Sequence, residues 1–359
     1  MKEQGAFAWF FDPAFKMAFF RPLSSALLAI DHGLWGLEPM GYRAHGLLWF
    51  LLLVAAVGAI LRLMLPGRLA TLSFAVFALS GVHANLYWTA TRHIAVAAAI
   101  GSLALLAHLR WREQGWRPGR LLSVLACAMS LTASEAAMAV LAYLFAFELL
   151  GAQGGLKTRL RALAPIAGVV LVYLVMYQAL GLGVSSGSGY VDPVRDPLGF
   201  VTPFPARWLV LGAGMLLGGH VDLWVLRPDL HGWMIVVGLV SAALVALLLR
   251  AVWPHTPVSA RRSARWLMAG ALLAAVPFSG SAIGSRCLII PMIGGAVAVA
   301  VVIEGWWSGL RKIRQPGARL VGVLCALLAL VHLVVAPVQR LAGPSMFRAM
   351  MNEKLARAM

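Results

Sequence analysis

The sequence predicts an all-α polytopic integral membrane protein, with about ten transmembrane helices and amphipathic helices on the outer face. Three observations carry that prediction. Hydrophobic residues make up 61% of the 359 positions and charged residues only 12%, a balance that excludes both an ordinary soluble domain and a disordered chain. Apolar runs near the length needed to cross a bilayer, about 20 residues, recur along the chain. The basic residues sit in short clusters between those runs. A net charge of +17 would suggest nucleic acid in a soluble protein; here its distribution refers it to membrane topology, with no nucleic-acid partner.

The chain divides into a first extracytoplasmic loop with an amphipathic helix (1–44), a transmembrane helical domain (45–340) and a short C-terminal tail (341–359). A long extracytoplasmic loop, 182–231, lies within the helical domain. The expected spans are 45–65, 69–86, 93–110, 119–133, 135–152, 162–181, 232–250, 264–280, 286–305 and 319–338. The apolar block from 119 to 152 is too long for one crossing, so it is split at "TASEAA". The run 206–219 is short and glycine-rich and reads as re-entrant or interfacial. Cys127, Cys287 and Cys325 are scattered in apolar sequence, with neither disulfide nor metal spacing. No signal peptide and no internal repeat is visible.

Five basic clusters fix the orientation: Arg62/Arg68, Arg110 to Arg120, Lys157/Arg159/Arg161, Arg250 to Arg265 and Arg311 to Arg319. With these spans all five fall on one side, which the positive-inside rule makes cytoplasmic. The segment "FFRPLSSALLAIDHGLWGLEPMGY" (19–42) then lies outside, as an amphipathic element on the membrane surface. An outside N-terminus ahead of span 45–65 leads us to expect a further span upstream.

The outer face gathers Arg21, Asp31, His83, Asn85, Arg92, His93, Glu135 and Arg286. Guanidinium forks hold phosphate oxygens and carboxylates take protons from hydroxyls, so this mixture suits a base working beside a phosphate leaving group. Plainer readings stand beside it. Arg21 and Arg92 also fit as snorkelling interfacial residues, Glu135 as a cap or an arginine partner, and His83 as a satisfied buried histidine. Asp192 and Asp196 read as turn residues. No metal is assigned; His220 with Asp222, or Asp229 with His231, would be the divalent-metal ligands, on an unspecific spacing.

The opening segment resembles the "YRPLS…LNPFGYH" pattern of the GT-C superfamily of polytopic glycosyltransferases, nearest to transmembrane O-mannosyltransferases that carry tetratricopeptide repeats. Three further blocks occur in that family's order: "SGVHANLYWTATRHIAV" (80–96), "LTASEAAMAVL" (131–141) and "SRCLIIPMIGGAVAVAVV" (285–302). Asn85 and Ile94 stand where the family carries acids, and the repeats are not part of this sequence. The resemblance implies a glycosyltransferase that moves a sugar from a polyprenyl-phosphate donor to an acceptor hydroxyl on a protein or glycan. It implies a bacterial inner-membrane location with the active site facing the periplasm. By position, Asp12 and Glu135 would be catalytic, with Asp12 or an acid upstream of Met1 as base. Arg21, Arg92 and Arg286 would hold the donor phosphate, and Asp31 and His83 would contact the acceptor or substrate. A transporter or flippase, or a non-catalytic membrane scaffold, is the alternative.

Overall fold

A computed structural model describes residues 16–83, 88–185, 190–218, 221–309, 311 and 316–341. Asp12, Asn85, His220 and the tail from 342 onward lie outside the described residues. Among the described residues fourteen α-helices run in order: α1 (Pro22–Trp35), α2 (Pro39–Met64), α3 (Gly67–Leu79), α4 (Arg92–Gln114), α5 (Pro118–Ala133), α6 (Met138–Ala146), α7 (Leu156–Ala179), α8 (Pro197–Val201), α9 (Phe204–Leu217), α10 (Leu223–Leu226), α11 (His231–Val252), α12 (Val258–Ala274), α13 (Met292–Ser308) and α14 (Pro316–Leu330). π-helical turns extend α6 through Phe147–Gly151 and α14 through Val331–Val335. One short antiparallel pair, β1 (Lys16–Ala18) with β2 (Gly183–Ser185), ties the N-terminal segment to the loop after α7. The sequence pattern had not suggested it.

Prolines open many of these helices, as at Pro22, Pro39 and Pro118, where the missing N–H would be unpaired anyway. Gly115 closes α4 at φ 70°, a backbone that glycine adopts freely, and its N–H reaches the Trp111 carbonyl at 3.1 Å.

Among the described residues, six helical runs are long and apolar enough to cross a membrane: Pro39–Met64, Thr89–Gln114, Leu156–Ala179, Pro197–Leu217, Pro228–His255 and Gly317–Leu341. Five of these coincide with spans expected from sequence. The sixth, Pro197–Leu217, takes in the run 206–219 that the sequence reading made re-entrant or interfacial, because the helical stretch starts earlier than the apolar run. The count of about ten is not confirmed by helix length. The other five expected spans fall on α3 (13 residues), α5 (16), α12 (17) and α13 (17), and on α6, which the π-turn continues. At 1.5 Å per residue these helices measure roughly 20–26 Å, against a hydrocarbon core of about 30 Å. Turns and 3-10 segments take the residues that the hydropathy pattern had counted as span. The split inside the apolar block falls at Ser134–Ala137, a 3-10 turn capped by the Ser134 hydroxyl on the Ala136 N–H at 3.2 Å.

Burial sorts the helices into an inner and an outer set. The α4 run is 78% buried, whereas that of α7 is only 17% buried. Met292 to Val302 of α13 are buried as a continuous stretch. Thus α4 and α13 form the interior, while α7, α11 and α14 present leucine and valine outward, as lipid-facing helices do. α4 packs on α2 and α5, α6 on α12, and α13 between α3 and α12.

Glycine sets one of these distances. A Cβ at Gly294 would lie 1.9 Å from the Leu267 carbonyl oxygen, so α12 and α13 touch backbone to backbone there. Gly294→Ala is expected to force the two helices apart and cost roughly 1–3 kcal/mol or more. Thermal unfolding in detergent measures it; an unchanged midpoint would contradict this packing.

The segment read from sequence as re-entrant becomes α9. Both of its flanks meet the single connection between α12 and α13. Val191 donates to the Gly280 carbonyl at 2.7 Å and Arg207 to Ser279 at 2.9 Å, while Asp222 accepts from the Ser285 N–H at 3.2 Å.

Candidate functional site

The bundle has two chemically distinct ends. At one, Arg262 pairs with Glu113, Arg112 with Glu148, and Arg68 with Glu304 at 3.8 Å, while a Cβ at Gly309 would touch His255. These contacts gather the connections α2–α3, α4–α5, α6–α7, α11–α12 and the end of α13, which carry the basic clusters. At this end Glu148, 1% exposed, binds both His108 (2.8 Å) and Arg112 (2.7 and 3.0 Å). The sequence reading passed over this cluster.

The opposite end holds most of the residues singled out from sequence. Arg21 leads into α1, and Glu135 sits in the turn between α5 and α6. Arg21 Nε donates to Glu135 Oε2 at 2.9 Å and Nη2 donates to Oε1, a two-pronged pair. Phe19 lies 4.2 Å beneath the guanidinium, and Ser24 of α1 donates to the Ala133 carbonyl at 2.8 Å, which seats the segment. The pair is reachable, with side chains 23% and 37% exposed. Burial raises the Glu135 pKa, but the Arg21 guanidinium outweighs it and holds the carboxyl below the ordinary carboxylate value. His93, on the first turn of α4, lies within the electrostatic reach of Arg21, Glu135 and Arg286 together.

Arg92 and Asp31 make a second pair, of another kind. Arg92 Nη1 donates to Asp31 Oδ2, and the side chains are 6% and 0% exposed. His45 of α2 meets Asp31 Oδ1 through Nδ1, while its Nε2 accepts from the Trp49 indole at 2.9 Å, so both ring nitrogens have partners. This pair is sealed, so it binds α1, α2 and α4 to one another. His45 was missed from sequence; its i, i+4 relation to Trp49 on an otherwise apolar helix was the available signal.

Arg286 follows the α12–α13 connection. Its Nη2 donates to the Ala282 carbonyl at 2.8 Å, and among the described residues it has no carboxylate within ion-pair distance. Asp222 accepts from the Ser285 N–H and hydroxyl beside it and so steadies that turn. Tyr143 anchors the start of α13 below, donating to the Pro291 carbonyl at 3.0 Å and accepting from the Gly294 N–H at 3.0 Å.

His83 stands apart. It is fully buried between Phe50 and Phe77 (ring centroids 5.1 and 4.9 Å), with Nε2 on the Phe77 carbonyl at 2.8 Å. Asp192 and Asp196 cap local turns, accepting from the N–H groups of Val194 and Gly199, both at 2.8 Å. Among the described residues no group of three or more His, Cys, Asp and Glu is placed to hold a metal ion. Asp229 pairs with Arg227 at 2.7 Å, and His231 stacks on Trp224.

Fold and site together define a helical integral membrane protein whose charged groups meet at the end of the bundle away from its basic clusters. No family model, curated protein or solved structure matches the chain.

Proposed function

We propose that the protein is a membrane glycosyltransferase, built from about ten crossing segments, that moves a sugar from a polyprenyl-phosphate donor to an acceptor hydroxyl. The supporting observation is the convergence of Arg21, Glu135, His93 and Arg286 at one end of the bundle. By the positive-inside rule the opposite, basic end is cytoplasmic, which sets this chemistry on the extracytoplasmic face of a bacterial inner membrane. The acceptor is a protein or glycan hydroxyl.

In this reading Arg286 and Arg21 hold the donor phosphate, because they are the guanidinium groups of the cluster that a ligand can meet. Glu135 receives the acceptor proton, with Asp12 as the other candidate base. Arg92 and Asp31 are assigned to architecture, since each saturates the other out of contact with solvent. That self-pairing is also the observation favouring a non-catalytic scaffold.

Arg286→Ala decides between the two. A glycosyltransferase loses about 100-fold or more of its transfer from a polyprenyl-linked donor when a phosphate-holding cation is removed. Membrane insertion and thermal stability should stay near wild type. Undiminished transfer by the variant would refute the assigned role.

A further inference from the structure

Arg21 presents a difficulty for a phosphate that approaches its Nε–Nη2 edge, because that edge is already occupied by Glu135. A guanidinium edge holds one two-oxygen partner at a time, so a phosphate arriving there must displace the carboxylate. The released carboxylate then needs a donor, since an uncompensated charge in partly buried surroundings is unstable.

The helix α7 offers one: the Tyr173 ring packs on Phe20, the residue preceding Arg21. Tyr173 of α7 is 6% exposed, and its hydroxyl has no hydrogen-bond partner among the described residues. The ring is fixed against Phe20 and Tyr177, at centroid distances of 6.5 and 5.6 Å. The charged groups that act on that hydroxyl are Glu135 and Arg21. A buried, unpaired phenol is costly to leave unmet, and so it points to a state in which it is met.

We propose that the Arg21–Glu135 pair is an exchangeable lock: a phosphate oxygen takes Glu135's place on Arg21, and the freed carboxylate turns to the Tyr173 hydroxyl. This rests on the glycosyltransferase reading and deepens it. Locked, Glu135 is bound to a cation and a poor base. Unlocked, it keeps one neutral hydrogen bond and regains the ability to accept a proton. The base is therefore released only when the phosphate-bearing ligand is in place.

Equilibrium binding of a short-chain polyprenyl monophosphate, and separately of inorganic phosphate, to the full chain in nanodiscs tests the exchange. The proteins compared are wild type, Glu135→Gln, Tyr173→Phe and the double variant. Glu135→Gln removes the competitor and should tighten binding about tenfold, the equivalent of about 1.4 kcal/mol. Tyr173→Phe should weaken binding severalfold in the wild-type background and change little beside Glu135→Gln, because no carboxylate is left to receive. The same pattern with inorganic phosphate would support the exchange and identify a free phosphate as its ligand. Equal weakening by Tyr173→Phe in both backgrounds, or no tightening in Glu135→Gln, overturns the lock while leaving phosphate binding intact. Binding of neither probe by any of the four proteins overturns the lock and the glycosyltransferase reading together.

Discussion

Replacing Arg92 with alanine is expected to cost roughly 3–5 kcal/mol, the penalty for leaving a buried carboxylate without its counter-ion. Asp31 is 0% exposed and accepts from Arg92 and His45 only through its own two oxygens. With Arg92 gone, His45 remains as the carboxylate's one side-chain partner among the described residues. The loss should appear as a large fall in the thermal midpoint in detergent, together with loosening of α1, which Asp31 ties to α2 and α4. Replacing Asp31 and Arg92 together by apolar residues of similar volume should recover most of the stability, since it removes the buried charges along with their attraction. An Arg92→Ala protein as stable as wild type would show that Asp31 is not sealed. The same experiment separates stability from function: under the proposed reading, Arg92→Ala loses activity together with stability, whereas Arg286→Ala loses activity with stability unchanged.

The second large effect lies at the basic end. Arg112→Ala leaves Glu148, 1% exposed, with His108 as its remaining side-chain partner. The expected cost approaches the same roughly 3–5 kcal/mol and stays below its upper end because the His108 bond survives. His108→Ala alone should cost less, because Arg112 keeps both of its bonds to the carboxylate, at 2.7 and 3.0 Å. The two substitutions share one partner, so their effects should not add. A double-mutant cycle followed by thermal unfolding reads the coupling, and simple additivity would show that the three groups do not act as a unit.

The helical, membrane-embedded class was legible from hydropathy, and the gathering of the basic clusters at one end of the bundle from charge spacing. Both follow from the solvent rather than from contacts: a bilayer demands long apolar helices and sorts lysine and arginine by side. The split of the block 119–152 was legible for the same reason, because one helix that long overshoots the membrane. The number of full crossings was not. Whether a residue continues a helix or enters a 3-10 turn, as at 277–280 and 285–288, depends on packing that no local window contains.

Within the site, Arg21, Asp31, Arg92 and Glu135 were all singled out from sequence, but their pairing was not. Arg21 finds Glu135 114 positions away and Arg92 finds Asp31 61 positions away. Residue type and spacing cannot tell the reachable pair from the sealed one. That difference comes from α2 and α4 closing over Asp31 while the turn after α5 leaves Glu135 at the surface. His83 teaches the same lesson in reverse: its motif marked it, and two phenylalanine rings enclosed it. Composition and periodicity thus determined what this chain dissolves in and where along it the basic clusters fall. Only the tertiary structure decided which charges satisfy one another, because ion pairing at such separations is settled by how whole helices pack.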